Sequence, residues 1–134
     1  MTSYAEIKIK NHKKYNKKIL FLIFDECDMN DENVVEKLII DYHKTIEENP
    51  GISSIIDARN VKSCSKTLAF SKAKTLKRYD AIAKSNLLSM AILLDNPILK
   101  ILMDAVTKVH PFIVPTVVVK DNKSAMDFVV SHFN

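Results

Sequence analysis

Four aspartates stand where chemistry is simplest to build. Asp25, Asp57 and Asp95 each close a run of apolar residues, and Asp121 follows another by two positions. If those runs are parallel strands, the four carboxylates line the carboxyl edge of one sheet, beside Glu26, Asp28 and Lys120. Carboxylates with a lysine at such an edge have the chemistry to bind Mg²⁺ and to accept a phosphoryl group on Asp57. Aspartate is also favoured there simply as a helix cap, and that role needs no ligand.

The remaining candidates are weaker. Cys27 and Cys64 have no spacing to His12, His43, His110 or His132 that marks a nucleophile with its base, or a metal site. Gly51 is the only glycine, so a P-loop or dinucleotide fingerprint is excluded. Lys66, Lys74, Lys77, Arg78 and Lys84 share one arc of a helix expected over residues 65–84 and could contact phosphates of nucleic acid or anionic lipid. The helix expected from residue 97 to 109 is apolar around more of its surface than one sheet can cover. Its residues Ile98, Leu102, Met103 and Val106 form a candidate dimer or ligand face.

These residues need a scaffold, and the hydrophobic periodicity supplies one. Residues 4–10 alternate as a half-exposed edge strand, and the run ILFLIF at 19–24 is a buried partner in a hairpin. An amphipathic helix follows, with Asn30 or Asp31 as its cap and Pro50-Gly51 as its stop. Strand 52–57, helix 65–84, strand 87–94, helix 97–109, strand 116–119 and a closing helix complete the order β-β-α-β-α-β-α-β-α. The expected fold is α/β: one domain over residues 1–134, a mostly parallel five-stranded sheet and helices on both faces.

The 134 residues suit one domain with a real core. No apolar run reaches the ~18 residues of a membrane span. The first twenty residues hold six lysines and no unbroken apolar stretch, which argues against a secretory signal. With two unpaired cysteines, the expectation is a cytoplasmic protein with reduced thiols. The net charge of +4 conceals polarity: residues 25–48 carry nine acids, while the lysines gather at 8–18 and 62–84.

The opening hairpin, the segment IIDARNV at 55–61 and the run from 87 to 129 resemble the STAS/SpoIIAA-like family, whose fold CRAL-TRIO domains also use. The resemblance implies that fold over most of the chain. Anti-sigma antagonists of the family carry a phosphorylatable serine after the strand equivalent to 52–57. Aligning from Asp57 places Ser65 and Thr67 there, as candidate phosphoacceptors. With no strong catalytic motif, the expected function is a non-enzymatic protein-interaction module, homodimeric, without cofactor or metal. The alternatives are a module for an apolar small molecule or anionic lipid, and nonspecific nucleic-acid binding through helix 65–84.

Overall fold

The structure, a computed structural model, describes residues 3–133. Five strands, β1 (Ala5–His12), β2 (Lys17–Phe24), β4 (Ile52–Asp57), β6 (Leu87–Leu93) and β7 (Thr116–Val119), form the main sheet in that spatial order. The sheet is mixed. β1 and β2 are the antiparallel hairpin, with Ala5 opposite Phe24 and His12 opposite Lys17. β2–β4, β4–β6 and β6–β7 are parallel.

The connections are α1 (Glu32–Glu47), α2 (Lys66–Leu76), α3 (Asp80–Asn86) and α4 (Pro97–Val109), and α5 (Asn122–Ser131) closes the chain. Each long helix starts on a side-chain cap. Asp31 accepts from the Asn33 and Val34 amides, Asn96 from Ile98 and Leu99, and Asp121 from Ser124. The Tyr4 hydroxyl accepts from the amides of Asn30 and Asp31, which pins the entry of α1 to the start of β1.

Three details differ from the sequence reading. Two short strands, β3 (Cys27–Met29) and β5 (Val61–Cys64), pair in parallel as a separate two-stranded sheet. Three or four residues are too few to show a period. Second, the single helix expected over 65–84 is broken into α2 and α3 by a 3₁₀ turn at Lys77–Tyr79. Neither proline nor glycine sits at the break, so its cause is tertiary. α2 packs on α1 and α4, whereas α3 follows α1 and β6. Third, the helices are unequally shared between the faces. Side chains of α1, α2 and α4 join one core cluster with Leu20, Leu22, Phe24 and Ile92. Among the described residues only α5 of the helices supplies the opposite cluster, with Ala125 and Val129 against Ile19, Ile55, Ala91 and Leu93.

α1 turns into β4 at Gly51, whose φ is +79° and whose amide donates to the Asn86 carbonyl at 2.8 Å. An added Cβ would meet no heavy atom within 4 Å, so only backbone strain opposes substitution. Gly51→Ala should therefore lose about 1–2 kcal/mol in urea unfolding, and Gly51→Asn clearly less. Equal losses for the two variants would show that crowding, not the left-handed backbone, sets the cost.

Candidate functional site

Beneath α1 to α4 the helix layer does not close on the sheet. A cavity of about 640 Å³ lies between them, open on one side. Its floor is Leu22 and Phe24 of β2, Ile56 of β4 and Met90, Ile92 and Leu94 of or just beyond β6. Leu38 and Ile39 of α1, Ala69 and Ala73 of α2, and Leu99, Leu102, Met103 and Val106 of α4 form its walls. Protein interiors normally hold few voids larger than a water molecule. This volume lies within the roughly 300–1,000 Å³ of small-molecule sites.

The mouth is apolar as well. Leu76, Phe112 and Ile113 line the cavity and are also exposed to solvent. Lys77, beside Leu76, lines it too and is exposed.

The structure divides the face expected on α4. Leu102, Met103 and Val106 line the cavity with the buried Leu99, while Ile98 points away and is 76% exposed. Ile101, at 69%, and Val109 join it on the outside. At 100° per residue the apolar arc is too wide for one contact, and the sheet takes only the sector centred near Leu99 and Val106.

A few polar groups enter the apolar lining. The Tyr42 hydroxyl donates to Ser54 Oγ at 2.7 Å. Burial pushes its pKa up to about 12, against a smaller opposing effect of the Ser54 bond. His43 Nδ1 lies 2.8 Å from the Ile39 carbonyl, which can only accept, so this nitrogen carries the proton. The ring stacks on Tyr79 at 4.6 Å between centroids. Burial pulls the His43 pKa below its ordinary value, with the Ile39 hydrogen bond and the charge of Asp80 opposing. The Nδ1 of His110 is buried and has no hydrogen-bond partner among the described residues.

Lys72 is the buried cation of the site. Its side chain is 7% exposed, and its ammonium donates to Glu36 at 2.6 Å and to Glu32 at 3.1 Å. Tyr42, His43 and Lys72 were not singled out from the sequence as site residues. Lys72 did leave a signal: it stands four residues after Leu68 and four before Leu76, on the helix's apolar stripe. Glu32 and Glu36 show the matching spacing of four on α1.

The acidic edge is not a free carboxylate cluster. Asp57 is held by Arg59, whose Nε and Nη2 donate to its two oxygens at 2.9 and 2.8 Å. That pairing keeps the Asp57 carboxyl below the usual range, the Arg59 side-chain bond being the main cause. Arg59 also donates to Asn122 Oδ1, Asp121 is used as a cap, and Asp25 is exposed. Asp95 and Lys120 line a separate hollow of about 230 Å³. Among the described residues no group of three or more His, Cys, Asp or Glu is placed to hold a metal ion.

Lys66, Lys74, Lys77, Arg78 and Lys84 are all exposed, and the break at 77–79 puts Lys84 on a different helix from Lys66 and Lys74. Ser65 caps α2, accepting from the Leu68 amide at 3.3 Å, and Thr67 is exposed in the first turn. Cys64 lines the cavity and Cys27 is buried; burial raises both thiol pKa values, so neither is activated. Among the described residues no helix is long and apolar enough to cross a membrane.

No protein-family model matches the chain, and no curated protein matches it. Among solved structures it is similar to the crystal structure of an uncharacterized protein from the DUF3478 family with a SpoIIAA-like fold, from Shewanella loihica PV-4. The TM-score is 0.54 with 14% identity, over 92% of each chain. At that identity the likeness is one of fold, and the fold of this chain is SpoIIAA-like α/β.

The Lys72 cluster sets a pH signature. Lys72 holds the Glu36 carboxyl below its ordinary 4.5, so that contribution is complete above pH 4.5 and is lost as pH falls. Glu36 and Glu32 raise Lys72 above its ordinary 10.5, so its contribution is complete below pH 10.5 and is lost as pH rises. The unfolding free energy of Lys72→Met relative to wild type should be constant between about pH 5 and 10 and shift in the variant's favour outside that window. A difference that stays flat from pH 3 to 11 would remove the proposed coupling.

Proposed function

We propose that this protein is a non-enzymatic module that binds an apolar small molecule or lipid chain in the cavity between its sheet and α1–α4. The observation that carries this reading is the volume itself, about 640 Å³ of apolar-walled space in a chain of 134 residues. If it were a closed void, it would cost about 15 kcal/mol at roughly 24 cal/mol per Å³. That is as large as the entire usual stability of a domain, about 5–15 kcal/mol. Water entering through the mouth lowers this figure, and an apolar occupant lowers it much further.

The lining suits binding more than reaction. Tyr42 is committed to Ser54, His43 to the Ile39 carbonyl and Lys72 to two glutamates. Met29, Met90 and Met103 give the walls side chains that adapt to an occupant's shape. The exposed basic residues Lys74, Lys77 and Arg78, of which Lys77 lines the cavity, suit the approach of an anionic lipid surface.

Nile red, an uncharged solvatochromic dye, should bind the wild-type chain with one-to-one stoichiometry. Val106→Trp should occupy part of the space and weaken that binding by at least about tenfold, the worth of ~1.4 kcal/mol, without lowering the unfolding midpoint. Native mass spectrometry of protein from cells should show an apolar passenger. A folded wild-type chain with no passenger and no dye binding would rule the reading out.

A second reading is protein–protein contact through the outer face of α4, where Ile98, Ile101 and Val109 are exposed. A two-fold contact between copies would cover that stripe on both partners at once. The outer strip of a 13-residue helix, about 20 Å long and roughly 10 Å wide, covers on the order of 200 Å², well short of the ~800 Å² per partner of a stable interface, so the dimer would be weak. Light scattering should show a mass rising above the monomer's 15.2 kDa with concentration, and Ile101→Glu should abolish the rise. A strict monomer at millimolar concentration excludes this contact.

A further inference from the structure

We infer that the mouth of the cavity is a docking face for an anionic lipid bilayer, where Leu76, Phe112 and Ile113 enter the headgroup layer and Lys77 meets negatively charged heads. This rests on the binding role proposed above and adds the source from which the apolar ligand enters the same site.

The mouth is marked by the lining residues that also reach solvent. Among the described residues these are Leu76 and Lys77 at the end of α2, and Pro111, Phe112 and Ile113 in the loop between α4 and β7. Separate local causes produce the two lips. The 3₁₀ turn at Lys77–Tyr79 ends α2 at Leu76. Pro111 keeps the residue before it out of helical backbone, and His110 accordingly sits at φ −127° and ψ 80°. The loop is tied on either side of its tip. The His110 amide donates to the Val106 carbonyl and the Met90 amide to the Pro115 carbonyl, both at 2.9 Å. Phe112 and Ile113 lie between these ties.

The composition of the rim identifies its partner. Four of the five rim residues are apolar, the fifth is a cation, and none is an acid. Leu76, Phe112 and Ile113 are 38%, 41% and 39% exposed. Large apolar side chains gathered at the surface mark a contact site. Among the described residues Lys77 has no carboxylate within ion-pair distance. Lys74, one turn before it, and Lys108, near the end of α4, are exposed as well. Asp80 is the acid of the lining, and it is half-buried.

An anionic bilayer complements such a rim, because it is negative at its surface and apolar just beneath. It also matches what lies behind the rim. The cavity opens between the two lips, so an acyl chain would pass from hydrocarbon to apolar wall with little exposure to water, the exposure that makes its free transfer unfavourable.

Phe112→Trp provides the probe, since the chain has no tryptophan of its own. On phosphatidylcholine vesicles with about 30% phosphatidylglycerol, its emission should shift to the blue and be quenched by lipids carrying a nitroxide on the acyl chain. Wild-type chain should sediment with these vesicles at least about tenfold more tightly than with pure phosphatidylcholine, and less so as salt is raised. Phe112→Glu and Lys77→Glu should each weaken sedimentation by at least about fivefold, whereas Ile40→Glu, at an exposed position of α1 outside the lining, should not. A folded chain that binds Nile red in the absence of vesicles, yet shows neither shift nor sedimentation, would overturn the docking inference and leave the cavity reading standing. Sedimentation that survives Phe112→Glu without acyl-chain quenching would also overturn it, by placing the lipid contact elsewhere. So would a rim that yields only a concentration-dependent mass in light scattering, lost in Phe112→Glu, since the partner would then be protein. Acyl-chain quenching in a chain that binds no dye would uphold the docking face and remove the cavity reading.

Discussion

Parallel strands set side by side in chain order leave little freedom in where their crossovers run. β2, β4, β6 and β7 are neighbours in that order, so each connection steps the same way across the sheet. With the right-handed crossover that twisted strands impose, α1, the α2–α3 pair and α4 all fall on one face. One face must accommodate four helices while α5 alone serves the other. The helices on the crowded face cannot all sit down fully on the strands, and the space left beneath them is the cavity. The roof is tied at its edges by polar links. Lys72 joins α2 to α1, Tyr42 joins α1 to β4, and the Asn96 side chain reaches the Lys62 carbonyl at 3.4 Å.

The two faces show how side-chain size decides packing distance. On the α5 side the contacts are Ala91, Ala125 and Val129, with no exposure, next to Ile19, Ile55 and Leu93. Small residues on helix and strand let the backbones approach and leave little space to fill. On the other side the lining is long and flexible, with methionines and leucines directed at one another across a gap. Side chains of that kind could have been exchanged for bulkier ones at no cost in hydrophobicity.

The sequence made the sheet legible because burial and period agree in it. ILFLIF at 19–24, the strand at 52–57 and LLSMAILL at 87–94 are apolar on both faces, as central parallel strands must be. Caps marked the helix starts for a local reason: Asp31, Asn96 and Asp121 act on amides two or three residues away. What depends on partners distant in the chain was not legible. The break at 77–79 answers to α1, α4 and β6, and nothing in KRYD announces it. Arg59 was overlooked as the partner of Asp57, although it lies two residues on, because a carboxylate after a strand reads as a cap. The cavity was half visible. An over-apolar α4 pointed to it, and Met103, Leu102 and Val106 were identified, but a void is a property of three layers at once and has no sequence period.

α4 also explains why the apolar excess did not resolve into a single face. Ile98 lies about 40° from Leu102 and 80° from Val106 around the helix axis, at 100° per residue. A small rotation would bring Ile98 inward and carry Met103 toward solvent, with almost no change in the apolar area buried. Hydrophobicity therefore cannot set the rotation of this helix. The ends must do so: the Asn96 side chain accepts from the first amides while its own amide group donates to Lys62, and the amide of His110 closes the last turn on the Val106 carbonyl. Directional bonds at the termini choose one setting among several of nearly equal hydrophobic energy. The chosen setting presents Leu102, Met103 and Val106 to the cavity and leaves Ile98 and Ile101 to the outside.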